Sequence, residues 1–291
     1  MRSLLIRIAL FASIYSLCCF SCARAQDLAQ TLQLGQHLQE IRDFEGAIDL
    51  YRRVIFFDRA QAHHLPANLA MAECHWALGE AQEALKCLNL AYYQSKNAAQ
   101  RLNIQFRQIE IHLLMQDFVR AQEELYSVEG ERDSTHAAKF HLYSGIAWFG
   151  TGQYDSSQVY FHRYIGPGNA LAHAEIDRAF DQTRRLAKIR PVRAKVMSTI
   201  LPGLGQLYYG DVKNGLNSFL LTSGLLILGL HLAIVISPFD ALLTVGPWYY
   251  RYYQGGVRRA GEIAAARRER KRAIIYQQLF DALDRCTTCP R

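Results

Sequence analysis

Residues 43–51 read DFEGAIDLY, and this stretch decides the fold class. Ala47 is small and precedes Tyr51 by four positions, so the two side chains share one face of a helix, one turn apart. The same pattern occurs three more times along the chain: a turn, then a small residue, then a large apolar residue four positions later. The later pairs are Ala84 with Leu88, Ala121 with Leu125, and Ser157 with Phe161. The chain therefore contains an internal helical repeat.

The small residues of the repeat are spaced by 37, 37 and 36 positions. Twelve residues before each of them, the first helix of a hairpin is expected to carry a second close-packed position. Those positions hold Gly35, Ala72, Ile109 and Gly145, of which only the isoleucine is large. One hairpin cannot bury its own apolar face, so several must stack. The sequence thus predicts an all-α array of four helical hairpins at 26–166, with a capping helix at 167–191.

The first copy has the most specific pattern. Leu34-Gly35-x-x-Leu38, followed by Ala47-x-x-x-Tyr51, resembles the tetratricopeptide repeat. That resemblance implies a helical surface that binds a protein or peptide, and it implies no catalytic residue. The helix-ending proline of the family is missing from all four copies, and the period exceeds the usual ~34 residues. The residues expected to carry the signature are Leu34, Gly35, Ala47, Tyr51, Ala84, Leu88, Ala121, Leu125, Gly145 and Phe161.

The N-terminus has the features of an export signal. Two arginines flank the start of an apolar run from Ile8 to Phe20, and Ala23-Arg24-Ala25 offers a signal-peptidase site. We expect a signal peptide at 1–25. An uncleaved anchor and a lipoprotein acylated at a cysteine such as Cys22 are the alternatives.

Charge is divided between the two halves of the chain. Gln26 to Thr183 contain 13 Lys/Arg and 20 Asp/Glu, whereas the residues from Arg184 to the C-terminus contain 17 and 6. The basic half also carries the apolar stretches, and this combination favours a membrane surface over nucleic acid. We therefore expect membrane lipid and a protein or peptide as partners, and no nucleic acid.

The strongest membrane signal of the mature chain is Leu216–Ser237, which has 22 residues and no Asp, Glu, Lys or Arg. This length crosses a hydrocarbon layer of about 30 Å. A single span, with Ala241–Tyr253 at the inner interface, would place the basic residues from Arg258 to Arg272 on the inner side, as the positive-inside rule favours. A two-span hairpin would return them to the outer side. The charge argument favours the single span.

A glycine-rich motif precedes this segment. The pattern is Pro202-Gly203-x-Gly205-Gln206-x-Tyr208-x-Gly210. Together with the apolar segments and a Gly255-Gly256 exit, it resembles an uncharacterised C-terminal membrane module of exported bacterial proteins. The resemblance implies a small membrane hairpin, at 192–256, and no catalytic residues; close helix packing at the glycines is the alternative role. A basic tail helix is expected at 257–291.

Chemical motifs are scarce. Cys286 and Cys289 form a CxxC without the second ligand pair that a zinc site needs. Histidines of the acidic half lack metal-ligand spacing: His63, His64, His75 and His112. The sequence contains no GxSxG, HExxH, P-loop or dinucleotide fingerprint. We expect no metal, no cofactor and no enzymatic activity.

These features predict a non-enzymatic scaffold or adaptor, anchored in a bacterial envelope membrane with its repeats on the periplasmic side. Two alternatives come from other classes of protein. One is a small membrane transport or channel component, in which His231 is the ionisable group within the apolar run. The other is a thiol-redox enzyme that uses the C-terminal CxxC.

Overall fold

The computed structural model describes residues 27–128 and 134–288, and every regular element in these residues is an α-helix. The described chain is therefore all-α, as predicted. The signal peptide expected at 1–25 and Cys289 lie outside the described residues.

The helices of the predicted repeats come in pairs joined by three-residue turns. They are α1 (Leu28–Glu40), α2 (Phe44–Phe57), α3 (His64–Ala77), α4 (Ala81–Gln94), α5 (Ala98–Leu114), α6 (Phe118–Ser127), α7 (Ser134–Gly150) and α8 (Tyr154–Ile165). The remaining helices are α9 (Ala170–Leu186), α10 (Pro191–Ile200), α11 (Leu204–Tyr208), α12 (Val212–Val235), α13 (Pro238–Thr244) and α14 (Gly246–Thr288).

Each three-residue turn has the same backbone conformation. Its middle residue has a positive φ, which ends the first helix in a left-handed cap. The four residues are Arg42 (φ 65°), Gly79 (φ 79°), Gln116 (φ 60°) and Gly152 (φ 83°). In the first turn, the N–H of Asp43 donates to the oxygen of Leu38 at 2.8 Å and closes the helix end. These caps recur at the same spacing as the small residues of the sequence repeat.

The chain divides into two compact units, and the division falls between Thr151 and Gly152. This position lies in the turn of the fourth hairpin, whereas the sequence placed the end of the repeats at residue 166. In the second unit, Phe161 of α8 lies 6.1 Å from Phe180 of α9, measured between ring centroids. Helix α8 therefore belongs with the predicted capping helix α9.

Within residues 27–128 and 134–288, one helix is long and apolar enough to cross a membrane. It is α12, with 24 residues and a mean hydropathy of 2.1, and almost none of its most apolar window is buried. The short helix α13 turns the chain back, and α14 then runs without a break for 43 residues. Gly255 and Gly256 lie inside α14, so the exit predicted at these glycines is not a break in the helix.

The contacts of α14 bear on the choice between a single span and a two-span hairpin. A Cβ at Gly256 would lie 2.4 Å from Oγ of Ser218, near the start of α12. Further along, Arg285 forms an ion pair with Glu175 of α9, with 2.9 Å between Nη2 and Oε2. The end of α14 therefore lies on the same side of α12 as α9. This packing is the one that a two-span hairpin would give, whereas the charge argument favoured a single span. The side of the membrane on which the basic tail lies stays a prediction.

Candidate functional site

The first helices of successive hairpins contact one another through charged and aromatic side chains. Arg107 of α5 donates two hydrogen bonds to Glu73 of α3, with Nη2–Oε2 at 2.8 Å and Nε–Oε1 at 3.1 Å. The same guanidinium donates to Glu110 at 3.1 Å and lies 6.0 Å from the ring centroid of Trp76. A bidentate arginine pair of this kind fixes the orientation of both helices.

The next contact along this surface joins α5 to α7. The ring of Phe106 lies 6.1 Å from that of Tyr143, and Nζ of Lys139 lies 5.4 Å from each of the two rings. Burial raises the pKa of Tyr143 to about 12, so its hydroxyl remains neutral. We use the name A-helix face for the surface of α3, α5 and α7 that carries Glu73, Trp76, Arg107, Glu110, Lys139 and Tyr143.

The residues of the repeat signature are mostly buried between packed helices. The small residues Ala47, Ala84, Ala121 and Ser157 are fully buried. Their apolar partners Tyr51, Leu88, Leu125 and Phe161 are also buried, as is Gly145. At Gly35 an added Cβ would lie 2.6 Å from Cε1 of Tyr51, so this helix crossing has no room for a side chain. Leu34 is the exception, because it is 51% exposed.

The glycine-rich motif forms a buried junction among three helices. The side-chain hydroxyl of Ser198 donates to Oε1 of Gln206 at 2.9 Å and accepts from the N–H of Gly205 at 3.0 Å. The amide nitrogen of Gln206 donates to the oxygen of Gly256 at 2.9 Å. Gln206 is 1% exposed, so both ends of its side chain are satisfied inside the protein.

The glycines of the motif permit these contacts. Gly203 has a φ of 88° and begins α11, and a Cβ there would lie 2.2 Å from the oxygen of Gly215. A Cβ at Gly205 would lie 2.2 Å from the oxygen of Ala194. Gly210 has a φ of 84° and ends the motif. Pro202 lies in the turn between α10 and α11.

The tyrosine that holds this junction is Tyr209, which is not part of the predicted glycine-rich motif. Tyr209 is 6% exposed, and its hydroxyl accepts from the N–H of Arg190 at 3.3 Å. The guanidinium of Arg267, on α14, donates to the backbone oxygen of Tyr209. The predicted Tyr208 is 54% exposed, with the guanidinium of Arg193 at 5.6 Å from its ring centroid. The sequence places the two tyrosines side by side and gives no signal of which one is buried.

A polar cleft of about 490 Å³ lies between α12 and α14, beside the junction. Three arginines of α14 line it: Arg251, Arg258 and Arg259. The facing wall carries polar side chains of α12: Asn214, Asn217, Ser218 and Thr222. The hydroxyl oxygen of Ser218 is buried and has no hydrogen-bond partner among the described residues. Ser218 and Thr222 lie within an apolar run of the sequence, and that run gives no sign of this polar face.

The histidines and cysteines of the repeats do not form a cluster. Within residues 27–128 and 134–288, no group of three His, Cys, Asp or Glu residues could hold a metal ion. His75 contacts Glu80 at 2.6 Å, and the N–H of His63 donates to Asp58 at 2.6 Å. That backbone N–H lowers the pKa of the Asp58 carboxyl. Cys74 is a buried free thiol whose pKa is raised to about 11 by burial.

Comparisons with known proteins identified no relative of this chain. No protein-family model, curated protein or solved structure matches this chain. The resemblances to the tetratricopeptide repeat and to the glycine-rich membrane module therefore depend on the residue patterns alone.

Proposed function

We propose that this protein is an adaptor of the bacterial envelope, anchored in the membrane by α12, that binds a protein or peptide on its A-helix face and performs no chemistry of its own. The observation that supports this function is the surface formed by Glu73, Trp76, Arg107 and Lys139 on the first helices of three successive hairpins. Aromatic and arginine side chains held in fixed positions are the groups that contribute most to protein interfaces.

The rigidity of the A-helix face favours recognition. Arg107 is held by Glu73 and Glu110, so its side chain loses little additional freedom when a partner binds. Side chains of both charge signs lie beside half-buried aromatic rings on this face. A polypeptide segment with mixed charged and apolar side chains would find complementary groups along it.

The proposed location combines the N-terminal export signal with α12. Export would place the repeats on the periplasmic side, and α12 would anchor the chain in the membrane. Because the end of α14 contacts α9, we propose that the basic tail lies on the periplasmic side as well.

The function can be tested by recovering partners from bacterial membranes in mild detergent. The charge-reversing variant Lys139→Glu alters the A-helix face at an exposed position, whereas Arg53→Glu makes the same change on the exposed side of α2. We expect the first variant to lose a defined partner that both the unaltered chain and Arg53→Glu retain. Recovery of the same proteins by all three chains, or equal loss by both variants, would refute the proposal.

A further inference from the structure

The helix with the strongest membrane signal carries a polar stripe over its first three turns. Asn214, Asn217, Ser218 and Thr222 lie at helical spacings of three, four and eight, so they share one face of α12. That face points into the cleft lined by α14. Two of these side chains are already engaged, because Asn214 donates to Asp211 and Thr222 donates to the oxygen of Ser218. The side chains of Asn217 and Ser218 form no hydrogen bond within the described residues.

The opposite wall of the cleft has more positive than negative charge. Nε of Arg258 lies 3.5 Å from the carboxylate of Glu262. The pKa of the Asp211 carboxyl is lowered mainly by hydrogen bonds from Asn214 and, to a smaller extent, by the charge of Arg259. Arg251 has no ion-pair partner among the described residues. An arginine without a counter-charge is costly beside a membrane-crossing helix unless an anion compensates it.

We propose that the cleft between α12 and α14 binds a phosphate group, held by Arg251, Arg258 and Arg259 together with the side chains of Asn217 and Ser218. Planar guanidinium groups bind phosphate oxygens through paired hydrogen bonds. The free amide and hydroxyl on α12 supply further donors on the opposite wall. The phosphate belongs either to an anionic lipid headgroup or to a free phosphate ion, and the two sources share this chemistry.

The position of the cleft favours the lipid. Arg251 lies five residues before Gly256 on α14, which corresponds to a rise of about 7.5 Å along the helix. Its long side chain can therefore extend toward the end of α12 where Asp211 and Lys213 begin the polar sequence. A headgroup phosphate would lie at this boundary between the apolar and polar parts of α12.

The test uses the full chain in nanodiscs made of equal parts of phosphatidylcholine and phosphatidylglycerol. Native mass spectrometry counts the phosphatidylglycerol molecules that remain bound when the protein is released from the nanodisc. The cleft variant changes Arg251, Arg258 and Arg259 to Gln, and the control changes Arg268, Arg270 and Lys271 to Gln. Both variants lose three positive charges from α14, but only the first loses them from the cleft. In parallel, inorganic phosphate is titrated into the detergent-solubilised chain by calorimetry.

We expect the unaltered chain and the control to retain phosphatidylglycerol and the cleft variant to lose it, with an affinity loss of about fivefold for each arginine removed. A second variant, Asn217→Asp, places a carboxylate at an exposed position in the cleft and should cause the same loss without unfolding the chain. Binding of inorganic phosphate that depends on the cleft, without retained lipid, would assign the site to the free ion. Equal losses in the cleft variant and the control, or no binding of either probe, would overturn the proposal.

The inference rests on the membrane anchoring of the proposed function and is independent of the A-helix face. A chain with Lys139→Glu should retain phosphatidylglycerol even where it loses its protein partner. If Lys139→Glu keeps the protein partner while the cleft variant loses phosphatidylglycerol, the proposed function fails and the phosphate site stands. If Lys139→Glu loses the protein partner while the cleft variant keeps phosphatidylglycerol, the adaptor function stands and the phosphate site fails.

Discussion

The side-chain amide of Gln206 donates a hydrogen bond to the backbone oxygen of Gly256, at 2.9 Å and across 50 positions of sequence. This contact joins the glycine-rich motif to the middle of α14. The two helices approach closely here, because a Cβ at Gly256 would lie 2.4 Å from Oγ of Ser218 and that hydroxyl would have to move. The motif and the returning helix are therefore parts of one packed structure.

Replacement of Gln206 by Leu should destabilise the second unit. The change leaves the hydroxyl of Ser198 and the oxygen of Gly256 without the partners that they have in the native structure. Loss of a buried partner costs about 1–3 kcal/mol, which denaturant unfolding in detergent would measure. Gln254→Leu is the control, since Gln254 is exposed on α14. Equal stability of the two variants would contradict the role of Gln206.

Replacement by alanine should destabilise the second unit at a close-packed glycine and stabilise it at a glycine with open space around it. Gly205→Ala pushes a Cβ against the backbone oxygen of Ala194, which cannot rotate away, and should cost about 1–3 kcal/mol. Gly255→Ala meets no atom within 4 Å and should raise the free energy of unfolding by up to about 1 kcal/mol, because alanine favours helix. Thermal unfolding of both variants checks the pair, and destabilisation by Gly255→Ala would be the contrary result.

The repeat register can be tested by adding bulk in the first unit. Ala84 and Ala121 are fully buried, so Ala84→Leu and Ala121→Leu should each overpack a helix crossing and cost about 1–3 kcal/mol. Ala81 is only partly buried, three residues earlier on α4, and Ala81→Leu should cost much less. Chemical denaturation of the three variants gives the comparison. Similar losses at all three sites would rule out the register.

The contacts of α14 predict the side of the membrane on which its end lies. Exposed reporter positions are available on α9, as Ala174→Cys, and on α14, as Gln277→Cys. With Cys286 and Cys289 changed to Ser, the two reporters should react equally with a membrane-impermeant maleimide in intact spheroplasts. Labelling of only one reporter before lysis would instead establish the single-span arrangement.

His112 should make the first unit sensitive to mild acid. Burial lowers the pKa of His112 below its ordinary value, and its Nδ1 has no hydrogen-bond partner among the described residues. The unfolded chain then binds a proton more readily than the folded chain. The free energy of unfolding is therefore highest above about pH 6.5 and falls as the pH drops below that value. His112→Leu should reduce this loss, measured by denaturant unfolding at about pH 7 and pH 5. His37→Leu, at a largely exposed histidine, should leave the loss unchanged.

The repeat array was predictable because its signal is local. The pair Ala47 and Tyr51 lies within one turn of helix, and the chain repeats that pair at an even spacing. The left-handed caps at Arg42 and Gln116 were not predictable, because neither residue prefers a positive φ. At both positions the next residue closes the helix end, through hydrogen bonds from the N–H of Asp43 to Leu38 and from the N–H of Asp117 to His112.

The membrane half was harder to predict, because its contacts join distant residues. The apolar run that became α12 was evident from composition, and so was the helical character of the tail. The choice of Tyr209 over Tyr208 depends on contacts with Arg190 and Arg267, which lie 19 and 58 positions away in the chain. The return of α14 to α9 depends on the ion pair between Arg285 and Glu175. No local pattern specifies such contacts.

The sequence by itself determined the all-α class, the spacing of the helical hairpins and the apolar run, long enough to cross a membrane, that forms α12. These properties follow from the period of apolar residues and from the length of one uncharged run. Both signals are carried by residues that are close together in the sequence. Only the tertiary structure decided that α14 returns to contact α9 through Arg285 and Glu175, and that polar side chains of α12 face three arginines across a cleft. Those relations depend on how helices far apart in the chain exclude water and satisfy buried polar atoms together, which is a property of the folded arrangement.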